Sequence, residues 1–153
     1  MPAARGQEYT MSISLQSDCL NIDWREVYHL LQEAGLATYP PQTLQRAFEN
    51  SYAVVFALKD SRVIGSGRAL SDGAYQAAFY DCAVLPDYQG RGIGRMIMDD
   101  ILKRMAGCNI ILYASPGKEA FYEQFSFKRM RTGMALFLNQ ELMEQRGFIA
   151  RDY

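Results

Sequence analysis

The sequence has few of the residues that bind metals or form disulfides. Its 153 residues include one histidine, His29, and three cysteines, Cys19, Cys82 and Cys108. The cysteines are odd in number and lack the close spacing of a zinc site. We therefore expect reduced thiols, no metal site and a reducing compartment, which favours the cytoplasm. His29 is expected to pack against its neighbours or to lie at the surface of a helix.

Long apolar runs and blocks of positive charge are also absent. No stretch of 18 apolar residues occurs, and the first ten residues lack the apolar core of a signal peptide. The formal net charge is −1, and no run of lysine and arginine stands out. These features argue against membranes and nucleic acid as partners.

What the sequence does contain is typical of a globular protein. Hydrophobic residues make up 49% of the chain and charged residues 22%. The length suits one domain with a substantial core, and no repeat or linker interrupts it. We therefore predict a single domain over residues 1–153, with its core at about residues 10–138.

The most informative segment is a glycine-rich turn between a strand pattern and a helix pattern. An apolar run at residues 77–84 precedes the turn, which contains Gly90, Gly92 and Gly94. The helix pattern that follows places on one face Ile93, Met96, Ile97, Ile101, Leu102 and Met105. Glycines let the backbone turn closely, so that its N–H groups converge near the helix N-terminus. Such a cavity suits an anion, most naturally a phosphate.

The spacing of the glycines decides between kinds of phosphate ligand. It differs from the dinucleotide fingerprint, and no Lys-Ser or Lys-Thr follows as in a P-loop. The stretch 89–94, Gln-Gly-Arg-Gly-Ile-Gly, follows Val-Leu-Pro at 84–86. It resembles the signature Gln/Arg-x-x-Gly-x-Gly/Ala of the GCN5-related N-acetyltransferase (GNAT) superfamily, which binds acetyl-CoA. The alternative is a glycine turn without a ligand, and the flanking strand and helix disfavour it.

The remaining patterns supply the order of the elements. The predicted strands are 9–15, 52–58, 63–70, 77–84, 109–114, 127–131 and 134–138, with a hairpin turn at 59–62. The predicted helices are 24–34, 42–49, 93–105 and 116–124. Asp23 would cap the first of them, and Ser115 would cap the last, which would begin with Pro116. A polar tail is predicted to be helical around Glu141. This order predicts a mixed α/β sheet flanked by helices, and it matches the acetyltransferase fold over about residues 10–138.

The resemblance implies how acetyl-CoA would be held. Backbone N–H groups of residues 89–94 would bind the pyrophosphate, and two arginines would add positive charge. The backbone at the end of the preceding strand would pair with the pantetheine arm, and the Val84 N–H would donate to the thioester carbonyl. Ser115, or the backbone at the helix start, would replace an asparagine that relatives often carry. The cofactor-binding residues predicted in this way are Cys82, Val84, Gln89, Gly90, Arg91, Gly92, Ile93, Gly94, Arg95 and Ser115.

Acetyl transfer also needs a proton for the departing thiolate and a neutral amine. Residues 120–127 resemble the family helix Ala-x-x-Phe-Tyr-x-x-x-Gly-Phe, in which the tyrosine commonly protonates the CoA sulfur. Tyr122 matches that tyrosine, while Ser126 replaces the usual glycine. A phenol with a pKa of about 10 is protonated at neutral pH and can donate. The alternative for Phe121 and Tyr122 is simple packing against a sheet.

The general base is left open by the sequence. Many relatives carry a glutamate where this chain has Ala78. The remaining acid is Asp81, which is costly to bury in an apolar strand unless it is paired. Asp81 is therefore either a catalytic base or a structural carboxylate, and Tyr80 or a water molecule could serve instead.

The acceptor is predicted to be the primary amine of a small molecule, such as an aralkylamine or a polyamine. Asp72 and Asp81 would attract its ammonium group. The aromatic residues expected near it are Tyr28, Tyr39, Phe48, Tyr75 and Phe79. Two alternatives are a protein acetyltransferase acting on a lysine or an N-terminus, and a CoA-binding module without turnover. The fold resemblance is compatible with a homodimer, although no sequence feature requires one.

Overall fold

The computed structural model describes residues 12–36 and 38–151. The chain forms two compact units, Met1–Leu112 and Tyr113–Tyr153. The single domain predicted over residues 1–153 stays a prediction.

The first unit is built on a mixed sheet of five strands. The strands, adjacent in chain order, are β1 (Ser14–Gln16), β2 (Ala53–Lys59), β3 (Arg62–Ser71), β4 (Gln76–Val84) and β5 (Asn109–Ile111). Neighbours from β1 to β4 are antiparallel, whereas β5 runs parallel to β4. This arrangement confirms the predicted mixed sheet. Of the predicted strand at 9–15, residues 9–11 lie outside the described residues, and β1 includes its last two residues, Ser14 and Leu15.

Three helices accompany this sheet. They are α1 (Trp24–Glu33), α2 (Pro41–Glu49) and α3 (Ile93–Arg104). Asp23 caps α1 as predicted, because its Oδ1 accepts the Arg25 N–H at 2.9 Å. The apolar faces of α1 and α2 pack with β2 and β3 in one core, which includes Val27, Leu30, Leu31, Leu44, Phe48, Val54, Phe56 and Val63. The helices predicted at these places are thus confirmed.

Two glycines let α3 approach the sheet closely. A Cβ atom added to Gly65 or Gly67 of β3 would lie 2.9 or 2.8 Å from the Ile97 side chain of α3.

The hairpin between β2 and β3 turns through Asp60 and Ser61, which have φ of 50° and 65°. Two consecutive residues with positive φ are characteristic of a tight type I′ turn, so the predicted hairpin is confirmed.

The second unit contains two short helices, α4 (Glu119–Glu123) and α5 (Gln140–Gln145). The ring of Tyr113 packs edge-on against Phe137 and Phe148, with centroids 5.4 and 5.9 Å apart. The helix around Glu141 is as predicted.

The connection between the last strand and α4 differs from the prediction. β5 ends at Ile111 and is not buried, so the buried strand predicted to reach Ala114 is wrong. The predicted helix start at Pro116 is also wrong, because Gly117 has φ of 88° and the Lys118 N–H donates to the Ser115 carbonyl at 2.9 Å. Pro-Gly favours this turn over a helical first turn, so Ser115 does not cap α4.

The strand pair predicted at 127–131 and 134–138 is wrong as well. Within the described residues, this stretch contains no strand. Its alternating apolar side chains Met134, Leu136 and Leu138 are all exposed. Alternation predicts a strand only where one face is buried, and an isolated hairpin is at best marginally stable.

Candidate active site

β4 contains a bulge close to its end. Ser66 of β3 pairs with Ala83, whereas Arg68 pairs with Tyr80, so β4 supplies one residue more than β3 between these pairs. Asp81, in the bulge, has φ of 53°. Left-handed backbone at a residue with a Cβ costs about 1 kcal/mol or more, although aspartate tolerates it better than most. The bulge therefore needs contacts that stabilise it.

Two side chains of β3 supply those contacts. Arg68 Nε donates to Asp81 Oδ2 at 2.6 Å, and both side chains are largely buried, with 15% and 19% exposed. Ser66 Oγ donates to the Asp81 carbonyl at 2.8 Å. The Arg68 guanidinium also lies 5.6 Å from the Phe48 ring centre and 5.3 Å from that of Tyr80. Asp81 is thus paired at both its carboxylate and its carbonyl.

Beyond its first residues, β4 has one open edge. β5 pairs only with Gln76–Ala78, so the rest of this edge has no strand neighbour among the described residues. On the other edge, the Leu85 N–H donates to the Ile64 carbonyl at 2.9 Å. Hydrogen bonds alternate between the two edges of a strand, so the Val84 N–H points to the open edge. An extended ligand could pair with the backbone there.

The glycine loop follows directly. After β4, a short 3-10 turn at Pro86–Tyr88 leads to Gly90 and Gly92, which have φ of 75° and 82°. Gly92 is the N-cap of α3 and offers no side-chain cap, and Gly94 lies in the first helical turn. A Cβ atom at Gly90 or Gly92 would meet no protein atom within 4 Å. The glycines therefore leave space in front of the α3 N-terminus, where an anion can bind backbone N–H groups.

Side chains around the loop fix it and add charge. Gln89 Nε2 donates to the Val84 carbonyl at 2.9 Å, so this side chain ties the loop to β4. The Lys59 ammonium and the Arg91 guanidinium lie 5.4 and 5.5 Å from the Tyr88 ring centre. Two cations thus stand beside the loop, and Lys59 was not among the predicted site residues.

Cys82 directs its side chain away from the open edge. Its Sγ lies 4.0 Å from Met98 Sδ of α3. Burial, followed by the negative charge of Asp81, raises the pKa of the Cys82 thiol to about 12. The side chain is therefore part of the packing, and only the backbone of Cys82 can take the predicted role.

Tyr122 lies on α4 in the second unit. Its ring packs edge-on against Phe121 and Phe127, with centroids 5.1 and 6.1 Å apart. After α4, the N–H groups of Phe127 and Ser126 donate to the carbonyls of Tyr122 and Glu123 at 3.4 and 3.0 Å. Ser126 has φ of 69°. This pattern is a Schellman motif, so Ser126 takes the backbone conformation usual for glycine at the position that the family motif assigns to one.

The aromatic residues predicted near the acceptor differ in their burial. Phe48 and Phe79 are buried in the core of the first unit. Tyr39 and Tyr75 are exposed. Tyr28 packs edge-on against His29, with ring centres 5.5 Å apart. Tyr28 also packs against the core cluster that contains Phe48. The place of these five residues near an acceptor stays a prediction.

Asp72 stabilises the turn between β3 and β4. Its Oδ1 accepts the N–H groups of Ala74, Tyr75 and Gln76 at 2.8, 2.9 and 3.1 Å. These bonds hold the pKa of the Asp72 carboxyl below its ordinary value. The carboxylate is engaged by the turn, so it gives no support to the predicted role in binding an ammonium group.

An open cavity of about 440 Å³ lies elsewhere in the first unit, between the start of α1 and the β2–β3 hairpin. Its carboxylates are already engaged, since Asp23 caps α1 and Glu26 Oε2 accepts the Val63 N–H at 2.9 Å. None of the predicted site residues lines it. We therefore place the candidate site at the β4 edge and the glycine loop.

Neither a metal site nor a membrane span is found among the described residues. No group of three or more histidine, cysteine or acidic residues there could hold a metal ion. None of the described helices is both long and apolar enough to cross a membrane.

The family of the chain follows from a comparison of sequences. The sequence model of the Acetyltransferase (GNAT) family matches residues 23–127. This span includes β4, the glycine loop and α4. The chain therefore belongs to the GNAT family of acetyltransferases, as the resemblance of its motifs predicted.

Three curated relatives show how far the likeness extends. The chain is 27% identical over 118 residues to the uncharacterized N-acetyltransferase ycf52 of Porphyra purpurea, covering 72% of this chain and 68% of the relative. It is 30% identical over 134 residues to serotonin N-acetyltransferase 2, chloroplastic, of Oryza sativa, covering 82% and 63%. It is 31% identical over 123 residues to histone acetyltransferase TAP1 of Glycine max, covering 71% and 53%. The chain thus spans about half to two thirds of the length of these relatives.

A solved structure supports the fold. The GNAT family acetyltransferase of Streptococcus pneumoniae TIGR4 superimposes with a TM-score of 0.71 at 24% identity, covering 84% of this chain and 99% of that one. At this identity the likeness concerns the fold alone, and it confirms the predicted fold class.

Proposed function

We propose that this chain transfers the acetyl group of acetyl-CoA to the primary amine of a small molecule. The observation that carries the proposal is the open glycine loop at the N-terminus of α3, where Gly90 and Gly92 leave room that a Cβ atom would enter. Such a loop suits a pyrophosphate, and the GNAT family generally uses acetyl-CoA. The open edge of β4 beside it suits an extended arm that pairs with backbone.

Each part of the site then has a role in holding the donor. The backbone N–H groups of residues 89–94 bind the pyrophosphate, and Lys59 and Arg91 add positive charge nearby. The Val84 N–H, directed to the open edge, donates to the thioester carbonyl oxygen. This bond strengthens as negative charge develops on that oxygen in the transition state.

The chemical step forms one bond, breaks another and moves two protons. The amine nitrogen forms a bond to the carbonyl carbon, and the bond between carbon and sulfur breaks. Tyr122 gives its phenolic proton to the departing sulfur, as the family motif implies. The proton lost by the amine leaves through a base, for which Asp81, Tyr80 or a water molecule are the candidates from the sequence.

The relatives bear on the acceptor. The rice relative is named for serotonin, a small amine, and the match covers 82% of this chain. The soybean relative is named for histones, and the match covers 71%. Their identities of 30% and 31% do not separate the two classes. We propose the small amine because its relative matches more of the chain, and a protein lysine is the second candidate. We also propose a cytoplasmic location for the chain.

A direct test measures CoA release from acetyl-CoA. The acceptors are aralkylamines, polyamines, amino sugars, amino acids and a lysine peptide, after a thermal-shift test for acetyl-CoA binding. Turnover with a small amine supports the proposal, and turnover with the lysine peptide alone supports the second candidate. Absence of acetyl-CoA binding contradicts the whole reading of residues 89–94.

The role of Tyr122 is tested separately. Tyr122→Phe is expected to lower kcat by about 10²–10⁴-fold, the usual contribution of a general acid, while the Kd of acetyl-CoA is kept. Tyr113→Phe is the control, because it removes a phenol from another aromatic cluster of the same unit. Equal rates for the Tyr122 variant and the wild type would show that another group protonates the sulfur.

A further inference from the structure

The bulge of β4 determines which backbone N–H groups face the open edge. Before the bulge, the Asp72 N–H donates to the Gln76 carbonyl at 3.2 Å, so alternation directs the N–H groups of Ala78 and Tyr80 toward β3. In a regular strand, the Val84 N–H would follow the same alternation and also face β3. The extra residue reverses the alternation, and the Leu85 N–H faces β3 instead, bonded to Ile64. The Val84 N–H is free to face a ligand only because the bulge exists.

Nothing in the backbone alone favours this bulge. Asp81 must take φ of 53°, which is unfavourable for any residue with a Cβ. The largely buried guanidinium of Arg68 bonds the Asp81 carboxylate at 2.6 Å, and Ser66 Oγ bonds its carbonyl at 2.8 Å. Ser66 is fully buried. These contacts, made across the strand pair, select the bulged register over the regular one.

We infer that Arg68 is a positioning residue for acetyl transfer: through Asp81 it holds the β4 bulge and so directs the Val84 N–H at the thioester carbonyl. This inference rests on the proposed function. In this inference, the Asp81 carboxylate binds Arg68 and thereby holds the bulge, and it does not act as the general base. Arg68 itself lies between the Phe48 and Tyr80 rings and needs no contact with the substrate.

The first experiment removes the ion pair between Arg68 and Asp81 without leaving either charge buried and unpaired. In Arg68→Met/Asp81→Asn, neither side chain is charged, so the variant should fold. We expect kcat to fall by about 100-fold, the cost of a misplaced catalytic group, while the Kd of acetyl-CoA changes far less because residues 89–94 are intact. Arg62→Met, which removes an exposed arginine from the same strand, is the matched control and should leave both constants unchanged. An unaltered kcat in the double variant overturns the inference.

The second experiment separates an anchor from a base. Asp81→Asn keeps an oxygen that can accept from Arg68, and asparagine tolerates left-handed backbone, but its amide cannot take a proton. We expect kcat to fall less than about tenfold, against about 10²–10⁴-fold for the loss of a base, and the pH profile of kcat/KM to keep its position. A larger loss with a displaced profile overturns the role assigned to Asp81.

Amide hydrogen exchange gives a readout that needs no turnover. In the double variant, the Leu85 N–H should exchange faster, because its bond to Ile64 depends on the bulged register. Unchanged exchange there overturns the inference even if kcat falls. Wild-type protein that neither binds acetyl-CoA nor releases CoA contradicts the proposed function. Wild-type turnover combined with an unaltered double variant contradicts the inference alone.

Discussion

The β4 bulge and the glycine loop both need left-handed backbone, and the chain meets that need in opposite ways. At the bulge, Asp81 has a side chain, and buried contacts from Arg68 and Ser66 offset its strain. In the loop, Gly90 and Gly92 have no side chain, and a Cβ atom added at either would meet nothing within 4 Å beyond the adjacent residues. The difference separates two purposes. The bulge keeps its shape through its neighbours, whereas the loop is left uncovered, as the proposed binding of a ligand there requires.

The largest expected effect comes from breaking the contact at the bulge. Arg68→Met leaves the Asp81 carboxylate buried without its partner, which typically costs about 3–5 kcal/mol of the free energy of unfolding. Urea denaturation should show it as a lower midpoint. The double variant Arg68→Met/Asp81→Asn should recover part of the loss because no charge stays unpaired. A double variant no more stable than Arg68→Met would show that the penalty does not come from the charge.

The next largest effect is a loss of acetyl-CoA affinity, which should follow substitution of a glycine in the loop but not of a comparable glycine elsewhere. Gly107, after α3, has φ of 88°, and a Cβ there would also meet nothing within 4 Å. Gly92→Ala and Gly107→Ala should therefore each lower the free energy of unfolding by about 1 kcal/mol. Only Gly92→Ala should weaken acetyl-CoA binding, measured by calorimetry. Equal affinity in the two variants would remove the loop from the binding site.

A smaller, stabilising effect is expected at the end of α4. Ser126 has φ of 69°, so Ser126→Gly should raise the free energy of unfolding by about 0.5–1 kcal/mol. The reverse substitution can be made after α5, where Gly147 has φ of 80° and the backbone makes the same two hydrogen bonds of a Schellman motif. Gly147→Ser should be destabilising by a similar amount. Thermal denaturation of the two variants checks the opposite signs.

The smallest effect concerns acid pH. The pKa of Asp72 is below its ordinary value in the folded chain, because three N–H groups bond its carboxylate. Its contribution to stability is thus present above the unfolded pKa, near 4, and is lost as pH falls through the lower folded pKa. Asp72→Asn keeps an acceptor but cannot titrate. The variant should lose less stability than the wild type between pH 5 and pH 2, and identical curves would contradict this account.

Local signals were enough for part of the fold and the site. Asp23 as a cap, the Asp60–Ser61 turn and the glycine loop each depend on a few consecutive residues, and the structure agrees with the sequence on all three. The role of the predicted site residues in binding and catalysis stays a prediction. The sequence predicts Ser115 as a cap with Pro116 at the first helical position, but the Pro-Gly pair makes a turn there instead.

Other features depend on contacts that a single sequence does not contain. The bond of Arg68 to Asp81 requires the register of β3 against β4 and a bulge, and neither is set by local composition. One signal was present, because opposite charges occupy two neighbouring apolar strands. The alternation at 134–138 failed for the converse reason: the pattern is local, but a strand also needs a partner.

The raised pKa of Cys82 has a chemical consequence for the proposed reaction. A thiol beside an acyl-CoA could capture the acyl group by exchange, and only its thiolate form is reactive. Burial raises the pKa of the Cys82 thiol to about 12, so it stays protonated at neutral pH, and its Sγ packs against Met98 Sδ. In the proposed complex with acetyl-CoA, this cysteine is therefore not expected to compete with the amine for the acetyl group.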